Sequence, residues 1–446
     1  MDRRSFLKNA AATAAAAVPF GALLARAQEP SHQGGIRRGQ TAGYGPLFPT
    51  PDRTTGLPLL LLPEGFKYVS FGWRGDVMAN GSPTPALHDG MAAFPAGNGL
   101  VRLVRNHEVS TGVPFSTAAY DPGAGGGTTT LVFDSHKGEL IESRPSLSGT
   151  IRNCAGGPTP WGAWLTCEET TLFTTMPHGY VFEVPADGVS NAVPIRDMGR
   201  FSHEAVALDP ATGYVYETED AATSSGFYRY VPATPGDLLG GGQLFMLKVR
   251  GRNLTNLGDS YANGTQFDVE WVPIATPDSA SSSMPGNFVW AQGRLQGAAT
   301  FSRLEGCWYG NDKKIYIVST SGGVAQGQVW EYDPAAESIR LVFQSPGADV
   351  LNMPDNITVS PRGGLVLCED GAGLEYLHGL TVNGEIFRFA QNNVVLNGER
   401  NGISGDFTTS EWAGACYSPD GHWLFVNIQS PGISFAITGP WKSGAL

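Results

Sequence analysis

The sequence has little of what marks a nucleic-acid-binding, disulfide-rich or membrane-spanning protein. Its 446 residues hold only 29 Lys and Arg against 41 Asp and Glu, a formal net charge of −12, whereas a nucleic-acid surface needs clustered basic side chains. The five cysteines are scattered and include no Cys-x-x-Cys pair, which excludes a disulfide framework and a zinc-finger pattern. Beyond the first 27 residues, no apolar run approaches the roughly 20 residues that span a bilayer. The acidic excess is compatible with the binding of multivalent cations.

Long helical patterns are also missing, and the composition favours short strands instead. Glycine (59 residues) and proline (31 residues) occur with abundant Tyr, Trp, Val and Thr, a mixture typical of many short strands joined by turns. A unit of about 50 residues recurs along the chain, each time as a turn followed by an apolar run with acidic or polar residues at its end. The runs occupy residues 103–108, 163–169, 215–220, 315–320, 365–370 and 423–427.

This repeat predicts an all-β fold, a β-propeller of about six blades that accounts for residues 49–446 as a single domain. The alternative is a pair of β-sandwiches, because sandwiches also consist of short strands with regular turns. In a propeller, equivalent strands of successive blades end at the same central channel. Residues far apart in sequence are therefore expected to meet on the axis.

The N-terminal residues 1–27 are typical of an export signal. Arg3 and Arg4 precede Phe-Leu-Lys, an alanine-rich apolar stretch at residues 10–24 and an Ala-Arg-Ala site, which is the order of a twin-arginine (Tat) signal peptide. An amphipathic anchor helix is the alternative. We expect the twin-arginine export machinery as a partner, and a monomeric, periplasmic or secreted protein whose mature form has no membrane span. Residues 28–48 are polar and glycine-rich, which predicts a flexible arm.

Residues 151–170 combine a cysteine in a turn rich in glycine and proline, an apolar strand and two adjacent carboxylates. Acidic side chains seldom gather without a cation, so a metal site explains them better than a buried structural cysteine beside a solvated acidic loop. Carboxylates also end the equivalent strands of other units, and their crowding on the axis requires cations or bound protons. We predict a multinuclear metal centre, with a solvated acidic rim as the alternative. The strand-end candidates are Glu108, Glu168, Glu169, Glu219, Asp220, Glu369 and Asp370.

Two further segments contain candidate ligands. Glu204 begins a strand and could enter the same channel, whereas the preceding His203 is either an orienting group or an ordinary surface histidine. Arg303 and Glu305 share a face if the chain is extended there, so Glu305 could bind metal while Arg303 binds an anion. A simple salt bridge between them is the alternative.

Two kinds of metal are suggested by the remaining candidates. Asp355 and Asn356 lie in a turn and offer hard oxygen ligands suited to calcium. Cys154 is a soft ligand suited to iron or zinc. A centre that contains both types of ligand could hold one metal of each type.

Eight short segments occur in order along the chain: 105–108 (RNHE), 153–169 (NCAGGPTPWGAWLTCEE), 202–210 (SHEAVALDP), 217–220 (ETED), 302–306 (SRLEG), 353–356 (MPDN), 368–371 (CEDG) and 384–389 (GEIFRF). Their order resembles that of the PhoX-type alkaline phosphatases, which are also exported by twin-arginine signals. The resemblance implies a propeller that holds iron and calcium ions, with an oxo group between metals and a cysteine thiolate on iron.

Carried over to this sequence, the resemblance assigns a role to single residues. Arg303 would bind the substrate phosphate. The implied metal ligands are Cys154, on iron, together with Glu204, Glu305, Asp355, Asp370 and one or both of Glu168 and Glu169. Glu108, Asp220, Glu369, Asn356 and His203 are further candidates, as ligands or as groups that hold ligands.

One feature departs from the family pattern. The family's phosphatases also bind phosphate with a lysine in an insertion after the Arg-x-Glu-Gly segment, whereas residues 319–332 of this chain contain no lysine. The chain therefore resembles a shortened branch of the family. The expected activity is that of a secreted metal-dependent phosphatase acting on phosphate mono- or diesters. The alternatives are a calcium-dependent propeller lactonase or esterase, and a non-catalytic, calcium-stabilised binding module of the cell envelope.

Overall fold

The computed structural model describes residues 43–279, 288–381 and 384–446. Three short strands open this part of the chain: β1 (Leu47–Thr50), β2 (Leu60–Pro63) and β3 (Lys67–Phe71). Six antiparallel units, here called blades 1 to 6, follow in sequence order, and each begins with its innermost strand. Blades 3 and 4 are joined into one nine-stranded sheet.

Blades 1 to 3 occupy the first half of the described chain. Blade 1 consists of β4 (His88–Gly97), β5 (Leu100–His107), β6 (Gly126–Asp134) and β7 (Glu139–Thr150). Blade 2 consists of β8 (Asn153–Pro158), β9 (Ala163–Glu168) and β10 (Val181–Pro185). Blade 3 consists of β11 (His203–Leu208), β12 (Val215–Glu219), β13 (Phe227–Thr234), β14 (Asp237–Val249) and β15 (Gln266–Pro273), and is followed by helix α1 (Phe288–Leu295).

Blades 4 to 6 complete the chain. Blade 4 consists of β16 (Leu304–Tyr309), β17 (Ile315–Ser319), β18 (Gln328–Asp333) and β19 (Ser338–Gln344), which also pairs with β15. Blade 5 consists of β20 (Pro354–Val359), β21 (Leu365–Glu369), β22 (Tyr376–Leu380) and β23 (Ile386–Asn392), extended by β2 and β1. A separate hairpin, β24 (Val395–Asn397) and β25 (Ser404–Asp406), precedes blade 6, which consists of β26 (Trp412–Tyr417), β27 (Leu424–Ile428), β28 (Ile433–Thr438) and the N-terminal strand β3.

The blades close into a ring. Each innermost strand contacts the innermost strand of the next blade, and β26 of blade 6 contacts β4 of blade 1. The ring is fastened where β3 pairs with β28, so the last blade contains strands from both ends of the described chain. The predicted six-bladed β-propeller is confirmed, and a pair of β-sandwiches is excluded.

The apolar core lies between neighbouring blades. Both faces of most strands are buried, which explains why the apolar runs in the sequence are nearly continuous. Between blades 3 and 4, for example, Tyr216, Ile317 and Trp330 belong to one buried cluster. Between blades 5 and 6, Phe389 and Phe435 belong to another. This packing holds the six innermost strands side by side around the axis.

The described end of the predicted N-terminal arm is anchored rather than free. Of residues 28–48, the structure describes 43–48, and the Tyr44 hydroxyl donates to the carbonyl oxygens of Trp441 (3.1 Å) and Leu446 (2.9 Å). The arm prediction is therefore corrected for these six residues, since β1 also pairs with β2. The predicted export signal at 1–27 lies outside the described residues. In the described residues, no helix has the length and apolar character needed to cross a membrane.

Candidate metal centre

The innermost strand of each blade shifts its register soon after it begins. In blades 1 to 5 the first residue of the innermost strand pairs with one residue of the second strand. The next two residues of the innermost strand then face a single residue of the second strand. Such a bulge redirects the side chains that it contains. The second residue of the strand lines a central cavity in all five blades: Asp89, Cys154, Glu204, Glu305 and Asp355. In blade 6 the second residue is Ala413, and the shift comes one residue later.

A second set of side chains comes from the residue that follows the second strand of a blade. Its backbone N–H donates to the carbonyl of the residue before the innermost strand, as in Glu169 to Arg152 (2.9 Å) and Asp370 to Met353 (3.0 Å). This bond repeats in all six blades. Four of these positions carry carboxylates that line the cavity: Glu108, Glu169, Asp220 and Asp370. The other two carry Thr320 and Gln429.

A third set comes from the residue that precedes the innermost strand. Three of these residues line the cavity, namely Arg152 in blade 2, Arg303 in blade 4 and Glu411 in blade 6. Arg152 forms ion pairs with Glu108, at 2.9 Å, and with Glu169. Arg303 forms ion pairs with Asp220 (3.1 Å) and Glu305 (2.7 Å). The two guanidinium groups are the only cations among the twelve residues of the described chain that line the cavity.

The cavity encloses about 310 Å³ and concentrates negative charge. Nine carboxyl groups, one thiol and the two guanidinium groups line it. Burial, reinforced by neighbouring carboxylates, raises the pKa of Asp355 to about 8 and that of Glu169 to about 9. Burial and the nearby Glu204 carboxylate likewise raise the pKa of the Cys154 thiol. Such groups keep their protons unless cations compensate for them, because desolvation penalises the charged form.

The donor set fits metal ions. Three groups of side chains each offer ligand atoms within 4.8 Å of one another: Cys154 with Glu169 and Glu204, Asp89 with Glu108 and Glu411, and Glu204 with Glu305 and Asp355. The first group includes a thiolate donor and suits a softer metal such as iron, whereas the other two contain only oxygen donors and suit calcium. Glu204 belongs to two groups, so it could bridge two ions.

Most of the predicted site residues do meet at this cavity. They are Cys154, Glu169, Glu204, Glu305, Asp355 and Asp370, with Glu108, Asp220 and the predicted phosphate ligand Arg303. Residues separated by more than 200 positions in the sequence thus line one cavity. The strand-end carboxylates do not form a solvated rim.

The structure corrects the prediction for three strand-end carboxylates, which lie outside the cavity. Glu168 accepts hydrogen bonds from the backbone N–H groups of Ile151 (2.9 Å), Gly179 (2.8 Å) and Tyr180 (3.2 Å). Glu219 accepts from the Tyr228 hydroxyl (2.6 Å). Glu369 accepts from the backbone N–H of Asn352 (2.8 Å) and Tyr376 (3.1 Å). These three side chains face away from the cavity, since successive side chains of a strand point to opposite sides.

Two more candidates lie outside the cavity and hold the strands that carry the lining residues. His203 stacks on Phe201, with ring centroids 3.6 Å apart, and its Nε2 lies 3.1 Å from the carbonyl oxygen of Gly199. Asn356 accepts a hydrogen bond from the backbone N–H of Ala415 with its Oδ1 (3.1 Å). Neither side chain lines the cavity, and both fix the innermost strands.

Three lining residues are missing from the sequence prediction: Asp89, Arg152 and Glu411. The repeat in the sequence is clearest in the second strands, whereas Asp89 lies in a first strand. His-Asp-Gly at 88–90 matches Asn-Cys-Ala at 153–155, with a small residue in third place, which is a signal that could have identified Asp89. Arg152 precedes its strand as Arg303 does. For Glu411 we find no comparable signal.

Comparison with known proteins identifies a family whose members this chain resembles. The model of the alkaline phosphatase PhoX family matches residues 42–146 and 127–432. No curated protein matches the sequence. Among solved structures, Pseudomonas fluorescens PhoX in complex with vanadate, a transition state analogue, superposes with a TM-score of 0.64 at 17% identity, over 92% of this chain and 99% of that chain.

Other solved structures are less similar. Virginiamycin B lyase from Staphylococcus aureus gives a TM-score of 0.40 at 16% identity, over 84% of this chain and 99% of that chain. A gluconolactonase from Xanthomonas campestris gives 0.41 at 13% identity, over 90% of this chain and 100% of that chain. Because the PhoX family model accounts for most of the sequence, this chain belongs to the alkaline phosphatase PhoX family.

Proposed function

We propose that this protein is a secreted phosphatase that hydrolyses phosphate esters at an iron and calcium centre in the propeller cavity. The observation that carries the proposal is the cavity of a PhoX family member in which nine carboxyl groups and a thiol surround two guanidinium groups. Carboxylates and a thiol are ligands for cations, and guanidinium groups are ligands for phosphate. A binding module needs cations but has no need of an arginine beside them.

The residues that would hold each metal follow from the donor types. Iron would be held by Cys154, Glu169 and Glu204, and calcium by the oxygen-only groups around Asp89 and Asp355. The chemistry that these metals supply when bound is Lewis-acid stabilisation of negative phosphoryl oxygens and activation of an oxygen nucleophile.

The chain's own residues bind and orient the substrate. Arg303 presents a planar, permanently charged group that complements phosphoryl oxygens. Its ion pairs with Asp220 and Glu305 fix the guanidinium group at the cavity wall. Three of the surrounding carboxyl groups are buried: Asp89 (5% exposed), Glu204 (3%) and Glu305 (1%). This shielding from water strengthens electrostatic interactions with the developing charge.

Activity with and without metals tests the proposal. The holoprotein should hydrolyse p-nitrophenyl phosphate or its bis-substituted diester, lose activity after treatment with a chelator, and regain it with iron and calcium. Elemental analysis should find both metals. A calcium-dependent lactonase or esterase would hydrolyse lactones or carboxylic esters without iron, and a binding module would contain metal but turn over no phosphoester. Either result would reject the proposal.

We also propose export by the twin-arginine route, from residues 1–27 of the sequence. Replacement of Arg3 and Arg4 by lysine should retain the protein in the cytoplasm. Cell fractionation followed by immunoblotting measures this, and unchanged export of the double variant would contradict it.

A further inference from the structure

Arg152 and Arg303 occupy equivalent positions in two blades. Each is the residue immediately before an innermost strand, β8 or β16, and each has a positive φ, of 50° and 47°. The backbone carbonyl of each accepts the repeated hydrogen bond, from Glu169 N–H and Thr320 N–H respectively, both at 2.9 Å. Leu87 and Met353 have the same backbone conformation in blades 1 and 5. The conformation therefore belongs to the repeat, whereas the guanidinium group is specific to blades 2 and 4.

The side chains of the two arginines are held through the same nitrogen atoms, and the partners of Nε are equivalent in the two blades. Arg303 Nε donates to Asp220, the residue after the second strand of the preceding blade, at 3.1 Å. Arg152 Nε donates to Glu108, the residue after the second strand of its own preceding blade, at 3.0 Å. The Nη2 atom of each arginine forms a second ion pair, with Glu305 or Glu169. Each guanidinium group is thus clamped between two carboxylates by Nε and Nη2.

Both arginines keep one donor group that the described part of the protein does not use. Within the described chain, the Nη1 atom of Arg152 and that of Arg303 have no hydrogen-bond partner. The side chains are 39% and 26% exposed, whereas those of their partners Glu108, Glu169 and Asp220 are 16%, 12% and 12% exposed. The two arginine side chains are therefore more accessible to an entering anion than the three carboxylates that hold them.

We propose that Arg152 is a second phosphate-binding residue, which acts with Arg303 on the phosphoryl group of the ester. The inference rests on the proposed phosphatase function and deepens it. A phosphate monoester carries up to two negative charges, and those of the nine carboxyl groups that bound cations do not compensate repel it. Two fixed guanidinium groups with free N–H donors offset this repulsion where the substrate enters, and each charge-assisted hydrogen bond is stronger than a neutral one.

Binding of inorganic phosphate to the metal-loaded protein tests the role of Arg152 directly. Arg152→Gln should raise the dissociation constant of phosphate, measured by isothermal titration calorimetry, by about 10- to 100-fold. This is the loss of affinity expected when a charged hydrogen-bond donor is removed. Arg152→Lys should weaken it less, because the charge remains while the planar fork is lost. The KM for p-nitrophenyl phosphate should rise in the same order.

A matched control separates this role from a general effect of charge. Arg400 donates from Nε (3.1 Å) and Nη2 (2.7 Å) to Asp76 and is 33% exposed, but it lies outside the cavity. Arg400→Gln should therefore leave phosphate affinity unchanged. Because Arg152 also neutralises Glu108 and Glu169, the metal content of each variant is measured, and any lost metal is restored before titration.

The outcomes distinguish the two proposals. If Arg152→Gln has the metal content of the wild type and binds phosphate as tightly, the role of Arg152 is overturned and the phosphatase function is left intact. A wild-type protein that binds phosphate through Arg152 but hydrolyses no phosphoester would instead overturn the proposed function alone. Failure of the metal-loaded wild type to bind phosphate would overturn both.

Discussion

In three blades the second strand ends with an acidic residue and a second acidic residue follows it. The two members of each pair have different surroundings. The first member, such as Glu168 or Glu369, accepts backbone N–H groups from the turn before the innermost strand and from the start of the third strand. The second member, Glu169 or Asp370, lines the cavity. The first acid therefore fixes the segment that carries a neighbouring cavity residue, and the second supplies a ligand.

Substitution of the two adjacent glutamates should separate these roles. Glu168→Gln should lower the free energy of unfolding by about 2 to 4 kcal/mol, because a buried charged acceptor of several hydrogen bonds is lost. Glu169→Gln should not lower the stability of the metal-free protein at neutral pH, because the raised pKa of Glu169 already costs stability there. It should instead lower metal content and reduce kcat/KM by at least about 10-fold. Chemical denaturation, elemental analysis and steady-state kinetics measure the three quantities. The reverse pattern would show that the two residues have been assigned to the wrong roles.

Cys154 should give the centre a visible colour. A thiolate bound to iron produces a charge-transfer absorption band, so we expect the purified protein to be coloured, and Cys154→Ala to lose the band together with its iron. Cys416→Ala is the matched control, because Cys416 is equally buried but lies in an apolar cluster between blades 6 and 1. A colourless wild-type protein without iron would contradict the prediction.

The residue types of the site could be predicted from the sequence, but their orientation could not. Adjacent acids such as Glu168 and Glu169 are equivalent in a sequence pattern, and the strand register decides which one enters the cavity. Asp89 could not be predicted as a cavity residue for a related reason, since the bulge that turns its side chain inward depends on the pairing of β4 with β5. Motif order identified Cys154 and Arg303, whose neighbours in sequence are distinctive.

At the scale of elements, loops as well as strands hold the site. His178 precedes β10, and its imidazole lies between Glu168 (2.6 Å), at the end of β9, and Asp121 (3.3 Å), in the loop between β5 and β6. Asp121 also accepts hydrogen bonds from Thr174 and Thr175. The imidazole therefore connects blade 1 to blade 2 next to the segment that carries Arg152 and Cys154.

The contribution of His178 should depend on pH. Burial alone would lower the pKa of His178, but the carboxylates of Glu168 and Asp121 outweigh burial and raise the pKa above its usual 6.5. A raised pKa contributes stability that is complete below about pH 6.5 and is lost as the pH rises through the folded-state value. His178→Gln should therefore destabilise the protein by about 2 to 4 kcal/mol at low pH, and by at least about 1 kcal/mol less at high pH.

Denaturation of wild type and His178→Gln at about pH 5.5 and about pH 9 measures the difference. His422→Gln serves as a control, because His422 lies on the surface, where its Nε2 is 3.2 Å from the Thr438 hydroxyl. A stability gap between wild type and His178→Gln that stays constant or widens with pH would contradict a charged imidazole.

At the scale of the whole molecule, the six-bladed architecture could be predicted because its repeat is local in sequence. The closure could not, since β3 completes blade 6 by pairing with a strand more than 350 residues away. The cavity is equally non-local, because all six blades contribute to its lining. Cations bound there would connect every blade to the others at the axis, whereas the apolar clusters connect neighbouring blades farther out.

Removal of the metals should therefore destabilise the entire ring, and more so at high pH. In the metal-free protein, burial raises the pKa of Asp355 from 3.8 to about 8 and that of Glu169 from 4.5 to about 9. Between about pH 4 and pH 9 the folded state retains protons that the unfolded state has released, so the stability of the metal-free protein falls as pH rises. Bound cations replace those protons and remove this dependence.

Calorimetric unfolding of chelator-treated and metal-loaded protein should thus show a difference in Tm that grows from about pH 5 to about pH 9. Glu169→Gln should reduce the growth, because one of the titrating groups is then neutral at every pH. A metal-free Tm that stays constant or rises over this range would mean that the carboxyl groups of the cavity do not repel one another as their burial requires. A Tm that is the same with and without metal at every pH would mean that the cations have no part in holding the six blades together.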